Sequence, residues 1–156
     1  MVIACVLIQH FPLKVEVQRH PELSGQHLLL AKTSGSKAEV VDFSPGLDIR
    51  FGMALREAVA REREVKIIEA DVPCYRQCFE QILSALQQRS PLVEHAGLGI
   101  AYVGLDGLDE LYGNDARLAA ALGSAIPSPY GVQVGIGGTK FVAYLAATIA
   151  SPGSAF

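Results

Sequence analysis

Cysteine is scarce in this chain. Cys5, Cys74 and Cys78 are the only three in 156 residues, and so sparse and odd a set excludes a disulfide framework. Cys74 and Cys78 stand four apart on an expected helix and share a face, but a metal centre needs two further ligands of suitable type. Basic charge is not in excess either. Thirteen Lys and Arg against 16 Asp and Glu leave a net charge of -3, which argues against a free-standing nucleic-acid binder. Apolar runs are short and broken by Gln, Lys, Pro or Gly, and none approaches the ~20 residues of a membrane helix. The opening "MVIACVLIQH" lacks the basic start and cleavage site of a signal peptide. It is read as a first buried strand in a cytoplasmic protein.

Recognisable catalytic spacings are missing as well. His10, His20, His27 and His95 are scattered, and Ser34, Ser36, Ser44 and Ser84 lack a G-x-S-x-G context. There is no internal repeat and no low-complexity tract. The most consequential gap is local: no acidic residue occurs between Met1 and Lys14.

What is present is the composition of a globular domain, 50% hydrophobic and 19% charged. Met1–Gln9 is a strand-length apolar run. Phe11-Pro12 opens a helix to about His20, with proline in its first turn. His27–Lys32 and Ala38–Phe43 read as a hairpin around "TSGS". Met53–Glu64 is an amphipathic helix with a charged, solvated face, and "VKIIEA" is a strand. "DVPCYRQCFEQILSALQQRS" is the clearest helix. Tyr75, Cys78, Phe79, Ile82, Leu83 and Leu86 fall on one face, Asp71 is placed to cap it, and Pro73 lies inside its first turn. Strands "LVEHA" and "IAYVGL", a helix from Asn114 to about Ala125, strand "GVQVGI" and a helix from Thr139 to Ala150 complete the chain. From Val65 onward the order is β-α-β-β-α-β-α, and with the first strand this is an α+β sandwich with helices on one face, ferredoxin-like in style. Residues 11–64 are then an insert, and residues 1–10 and 65–156 the main domain.

Five segments in order are similar to a known family. "FPLKVEV" follows the first strand as "F-(Y/F)-A-x-V-E" does, and "IRFGM" looks like "V-R-x-G-M". "YRQCFEQILSALQQRSPLVE" matches a long helix and the strand after it. "GLGIAYVGLDGL" lies where the family has "S-(I/V)-D-E-A-Y-L-D", and "VGIGGTKFVAYLAATIASPG" resembles its "V-G-(I/V)-x-x-N-K" helix. The chain thus resembles the N-terminal half of Y-family (DinB/UmuC-type) DNA polymerases. The resemblance implies a ferredoxin-like palm with a small α/β fingers insert, and a chain that stops before thumb and little finger. It also implies phosphoryl transfer by two Mg²⁺ ions held on carboxylates.

Set against that pattern, the family's acid positions fall on Leu7, Gln9, Gly99 and Ile100, none of them acidic. Asp106 lies seven residues past Gly99, roughly 23 Å in extended chain, and Glu94 has no pairing acid in sequence. Asp42, Asp48, Asp106 and Asp109 suit turn or cap roles. The family's triphosphate-contacting Tyr and Arg fall near Asp42 and Pro45, where a carboxylate repels a triphosphate. Lys140 matches the phosphate-contacting lysine and follows "GIGG" at a helix start, and Arg50 is a second candidate contact. The start "ACVLIQHFPL" is close to that of ImuB-type proteins of this family, which have lost the catalytic acids. The expectation is a noncatalytic adaptor in translesion synthesis, without metal or cofactor. It would work with a catalytic polymerase, a sliding clamp or a RecA-like accessory subunit, and its DNA contact would be weak or indirect. Two alternatives remain open: an active nucleotidyltransferase with displaced carboxylates, which would need Mg²⁺, and a ferredoxin-like binding module unrelated to DNA.

Overall fold

A computed structural model describes residues 1–33, 37–108 and 113–150. The chain divides into two compact units, Met1–Gln9 with Arg76–Phe156, and His10–Tyr75.

The first unit is built on a four-stranded antiparallel sheet. Its strands are β1 (Ile3–Leu7), β5 (Val93–Gly97), β6 (Ile100–Gly104) and β7 (Gln133–Gly137), in the order β5-β6-β1-β7. Helix α3 (Val72–Gln87, whose first turn belongs to the other unit) precedes β5, α4 (Asp115–Ser124) precedes β7, and α5 (Lys140–Ile149) follows it. Two β-α-β halves interleaved in this order give the ferredoxin-like arrangement. One expectation is corrected: the helices do not all lie on one face. Cys5 and Leu7 on one face of β1 pack against Ala143 and Ala147 of α5. Ala4, Val6, Ala101 and Val103, which alternate onto the other face, are equally buried.

Glycine decides how closely α5 lies on the sheet. A Cβ at Gly135 would stand 2.1 Å from the backbone nitrogen of Ala147 and 2.4 Å from the carbonyl oxygen of Ala143. One at Gly137 would stand 2.7 Å from Val142 Cγ1. The helix therefore touches the strand backbone to backbone.

The glycine-bearing stretch before Tyr102 is not one weakened strand. β5 ends at Gly97, β6 begins at Ile100, and Gly97 (φ 143°) and Gly99 (φ 90°) supply the left-handed backbone that a two-residue hairpin turn needs.

The second unit carries α1 (Phe11–Arg19), β2 (Leu28–Lys32), β3 (Glu39–Phe43), α2 (Leu55–Arg61) and β4 (Lys66–Glu69). Its core gathers Leu29, Val40, Phe43, Ile49, Met53 and Ala58. The hairpin of β2 and β3 is antiparallel, and most of its "TSGS" tip lies outside the described residues. β4 corrects the expected boundary at residue 65. It pairs in parallel with β2, Leu29 opposite Ile67 and Leu30 opposite Ile68, so the strand belongs to the insert. Helix α2 is shorter than its amphipathic pattern, because its expected first residues extend instead. The carbonyl of Met53 accepts the Val40 N–H at 2.8 Å, and Ala54 bridges to Glu39. Among the described residues no helix is long and apolar enough to cross a membrane.

Candidate functional site

In the first unit the four positions of the expected metal ligands are found around one strand end. Leu7 lies directly opposite Ile100 on neighbouring strands, and Cys5 opposite Tyr102. Leu7 is 5% exposed and packs in the cluster that also takes Ile100. Gly99 sits in the turn, where its carbonyl accepts the Ile8 N–H at 2.7 Å. Gln9 is exposed just past the strand end. The structure therefore brings Leu7 and Ile100 together and places Gly99 beside them, and it puts two branched hydrocarbons face to face. Hard cations take oxygen ligands. A Leu and an Ile offer none, and the Gly99 carbonyl already serves the turn.

The polar chemistry of that face lies one step along the sheet. Glu94 on β5 is opposite Tyr102 on β6. Lys140, first residue of α5, reaches over the Tyr102 ring, with its Nζ 5.8 Å from the centroid, and forms an ion pair with Glu94 Oε2. Burial holds the Tyr102 hydroxyl above the usual tyrosine range, and the Glu94 carboxylate adds to this while Lys140 opposes it. The N-terminus of α5 is capped within itself, Thr139 Oγ1 accepting the Val142 N–H at 3.1 Å. Glu94, Tyr102 and Lys140 line a cavity of about 270 Å³ with Met1, Leu92 and Asp106. Asp106 Oδ1 accepts the Val2 N–H at 3.0 Å. Glu94, for which the sequence offered no pairing acid, has a cation as its ion-pair partner. Among the described residues, no three His, Cys, Asp or Glu gather as a metal site.

Burial pushes the Cys5 thiol up to about 11, which makes it a small apolar residue of the sheet rather than a nucleophile. Phe141 is 70% exposed on α5.

In the second unit Asp42 is the informative residue. It falls near the family's triphosphate contacts and was expected in a turn or cap role, and a capping role is what it has. Asp42 is fully buried. Its Oδ2 accepts the Leu13 N–H at 2.9 Å, and its Oδ1 lies 2.7 Å from His10 Nδ1 and accepts the Phe43 N–H at 2.8 Å. His10 precedes α1 in a left-handed conformation, φ 53°, and caps nothing with its own side chain. Asp42 thus caps α1 from a strand 29 residues away. The His10 ring also stands 5.4 Å from that of Phe43 and 5.9 Å from that of Phe51. Arg50 is exposed in the turn that precedes Met53. Glu16, the one acid of α1, is 3% exposed and accepts hydrogen bonds from Tyr75 (2.8 Å) and Arg19 (3.1 Å). Burial, with Glu16 close by, raises the Tyr75 hydroxyl.

Sequence reasoning missed the Glu94–Lys140 and His10–Asp42 pairs, because neither has a spacing that local periodicity registers. Only the antiparallel offset of β5 on β6 could have placed Glu94 beside Tyr102.

The comparisons with known proteins bear on the family and the fold. Residues 6–148 match the impB/mucB/samB family. The chain is 24% identical over 157 residues to a DNA polymerase IV of Clostridium kluyveri, 97% of this chain and 39% of that protein. It is 30% identical over 106 residues to a DNA polymerase IV of Dehalococcoides mccartyi, 67% of this chain and 27% of that protein. It therefore spans less than half the length of these relatives. Among solved structures, DinB from Sulfolobus solfataricus superposes with a TM-score of 0.85 at 20% identity, over 99% of this chain and 47% of that one. A post-insertion binary complex of Dbh DNA polymerase superposes with a TM-score of 0.86 at 21% identity, over 100% of this chain and 48% of that one. A likeness of fold alone does not account for a sequence match of this length, which removes the reading as an unrelated ferredoxin-like module. The chain belongs to the impB/mucB/samB family, and its α+β fold is that of the N-terminal, palm-bearing part of a Y-family DNA polymerase.

Proposed function

We propose that this chain is a noncatalytic member of its family, of the ImuB type, that serves as an adaptor in translesion DNA repair. The observation that carries the reading is the Leu7–Ile100 pair beside Gly99. Two-metal phosphoryl transfer needs anionic oxygens converging on the attacking and leaving groups, and these side chains supply hydrocarbon. With the acids gone, the palm's remaining capacity is contact. Lys140 in one unit and Arg50 in the other are the residues that meet phosphate, whether of a nucleotide or of a DNA backbone. The partners are a catalytic polymerase, a sliding clamp or a RecA-like accessory subunit, and no metal cofactor is used.

The test is a chimera in which residues 1–148 replace the matching part of an active DNA polymerase IV. Primer extension with Mg²⁺ or Mn²⁺ is expected to be absent, while the parent enzyme extends. Metal-dependent extension by the chimera refutes the proposal. It would favour a second reading, an active nucleotidyltransferase with displaced carboxylates, for which the polymerase names of the relatives and the presence of Glu94 and Asp106 on one cavity speak. In that case Glu94→Ala or Asp106→Ala abolishes the extension.

A further inference from the structure

Lys140 is a long, half-exposed cation at the start of a ten-residue helix, and the structure does not leave it free. Its Nζ is taken by Glu94, which is likewise half-exposed, 52% and 56% of the two side chains being accessible. This pairing has a structural cause. Glu94 is held on β5 directly across from Tyr102, and the Tyr102 ring carries the lysine above the sheet. Helix α5 is in turn pinned to β7 through Gly135 and Gly137, so the lysine is presented from a fixed height.

We infer that Glu94 is an internal competitor for the phosphate that Lys140 binds, and so sets the affinity of this face for polyphosphate. The inference rests on the reading of Lys140 as a phosphate contact. A phosphate oxygen and the Glu94 carboxylate have the same chemistry toward an ammonium group, and both cannot take it at full strength. While the pair is closed the lysine is unavailable, and the apparent dissociation constant rises by the reciprocal of the open fraction. An exposed pair of this kind is weak, so a multiply charged ligand displaces the carboxylate. Tyr102 keeps its hold on the cation when Glu94 lets go. The competitor thus lowers affinity without removing the site.

The experiment is calorimetric titration of inorganic tripolyphosphate at low salt into four proteins: wild type, Glu94→Gln, Lys140→Met and the double variant. Glutamine keeps the shape and removes the charge, and far-ultraviolet circular dichroism checks that each variant folds. Glu94→Gln is expected to bind about two- to sixfold more tightly than wild type, the range an exposed pair allows. The gain shrinks as salt screens the pair. Lys140→Met abolishes binding in both backgrounds. If Lys140→Met loses binding but Glu94→Gln equals wild type, the competitor role is wrong and the phosphate role of Lys140 stands. An equal gain from Glu94→Gln in the Lys140→Met background also overturns it, because the effect is then net charge alone. If Lys140→Met changes nothing, or if no protein binds, the phosphate reading itself falls and the inference with it.

Discussion

Asp42→Ala is the substitution whose cost the structure defines best. The carboxylate is fully buried and holds three groups: the Leu13 N–H, the Phe43 N–H and His10 Nδ1. The helical ladder of α1 starts with the Lys14 N–H on the His10 carbonyl, and Pro12 has no N–H, so the Leu13 N–H in the first turn needs an acceptor from outside the helix. A buried N–H bonded to a charged acceptor contributes about 2 kcal/mol, and the Phe43 and His10 contacts together about 2 more. The desolvation of the carboxylate offsets part of this, while its removal strands two buried N–H donors. Asp42→Ala should therefore destabilise the protein by about 3 kcal/mol. Asp42→Asn, which keeps one acceptor, should cost roughly half of that. Urea unfolding followed by circular dichroism measures both, and a lower midpoint at unchanged slope marks a stability effect. A loss below about 1 kcal/mol for the alanine variant, within the range of an ordinary surface change, would mean that water satisfies α1. The capping argument would then be refuted.

Two other outcomes follow from the packing. Gly135→Ala places a methyl group against the backbone of α5 and should cost about 3 kcal/mol, at the upper end of overpacking penalties, whereas Gly138→Ala, with nothing within 4 Å of its Cβ, should fold normally; thermal melts of the two compare them. The Cys5 thiol, held up to about 11 by burial, should resist iodoacetamide in the native protein at pH 8, while half-buried Cys74 and Cys78 are modified first, as peptide mass mapping will read. Because its folded pKa is raised, the contribution of Cys5 to stability is full below the unfolded thiol value near ~8.5 and is lost as pH climbs to about 11. Urea midpoints that do not fall across that window would count against the burial.

The parts of the fold legible in the sequence were those fixed by neighbours in the chain. Helix α3 announced itself through the spacing of Tyr75, Phe79, Ile82 and Leu86, all buried, and through Asp71, whose Oδ1 accepts the Cys74 N–H at 3.2 Å. Asn114 and Thr139 cap α4 and α5 in the same local way. Strand β4 was legible as a strand but not as a partner of β2, since parallel pairing is set by a crossover and leaves no local trace. The charged pattern of Met53–Glu64 promised a longer helix, and its first residues went to the edge of β3 instead, where tertiary pairing outweighed periodicity. At the site, the missing acids were readable because an absence of carboxylate in the first strand needs no register. A turn or cap role for Asp42 was readable too, but its target, the Leu13 N–H 29 residues away, was not, nor was the pairing of Glu94 with Lys140.

The seam between β7 and α5 has a consequence for motion. Most helices ride on a cushion of side chains that can change rotamer and let the helix slide. Here Gly135 meets the backbone of Ala143 and Ala147 directly, with no side chain of its own between them. A rearrangement that slides α5 along β7 meets backbone at Gly135 rather than a side chain that can change rotamer, which favours strand and helix moving together. The position of the Lys140 backbone is then a property of the whole sheet, and only its side chain has freedom to respond to a bound anion.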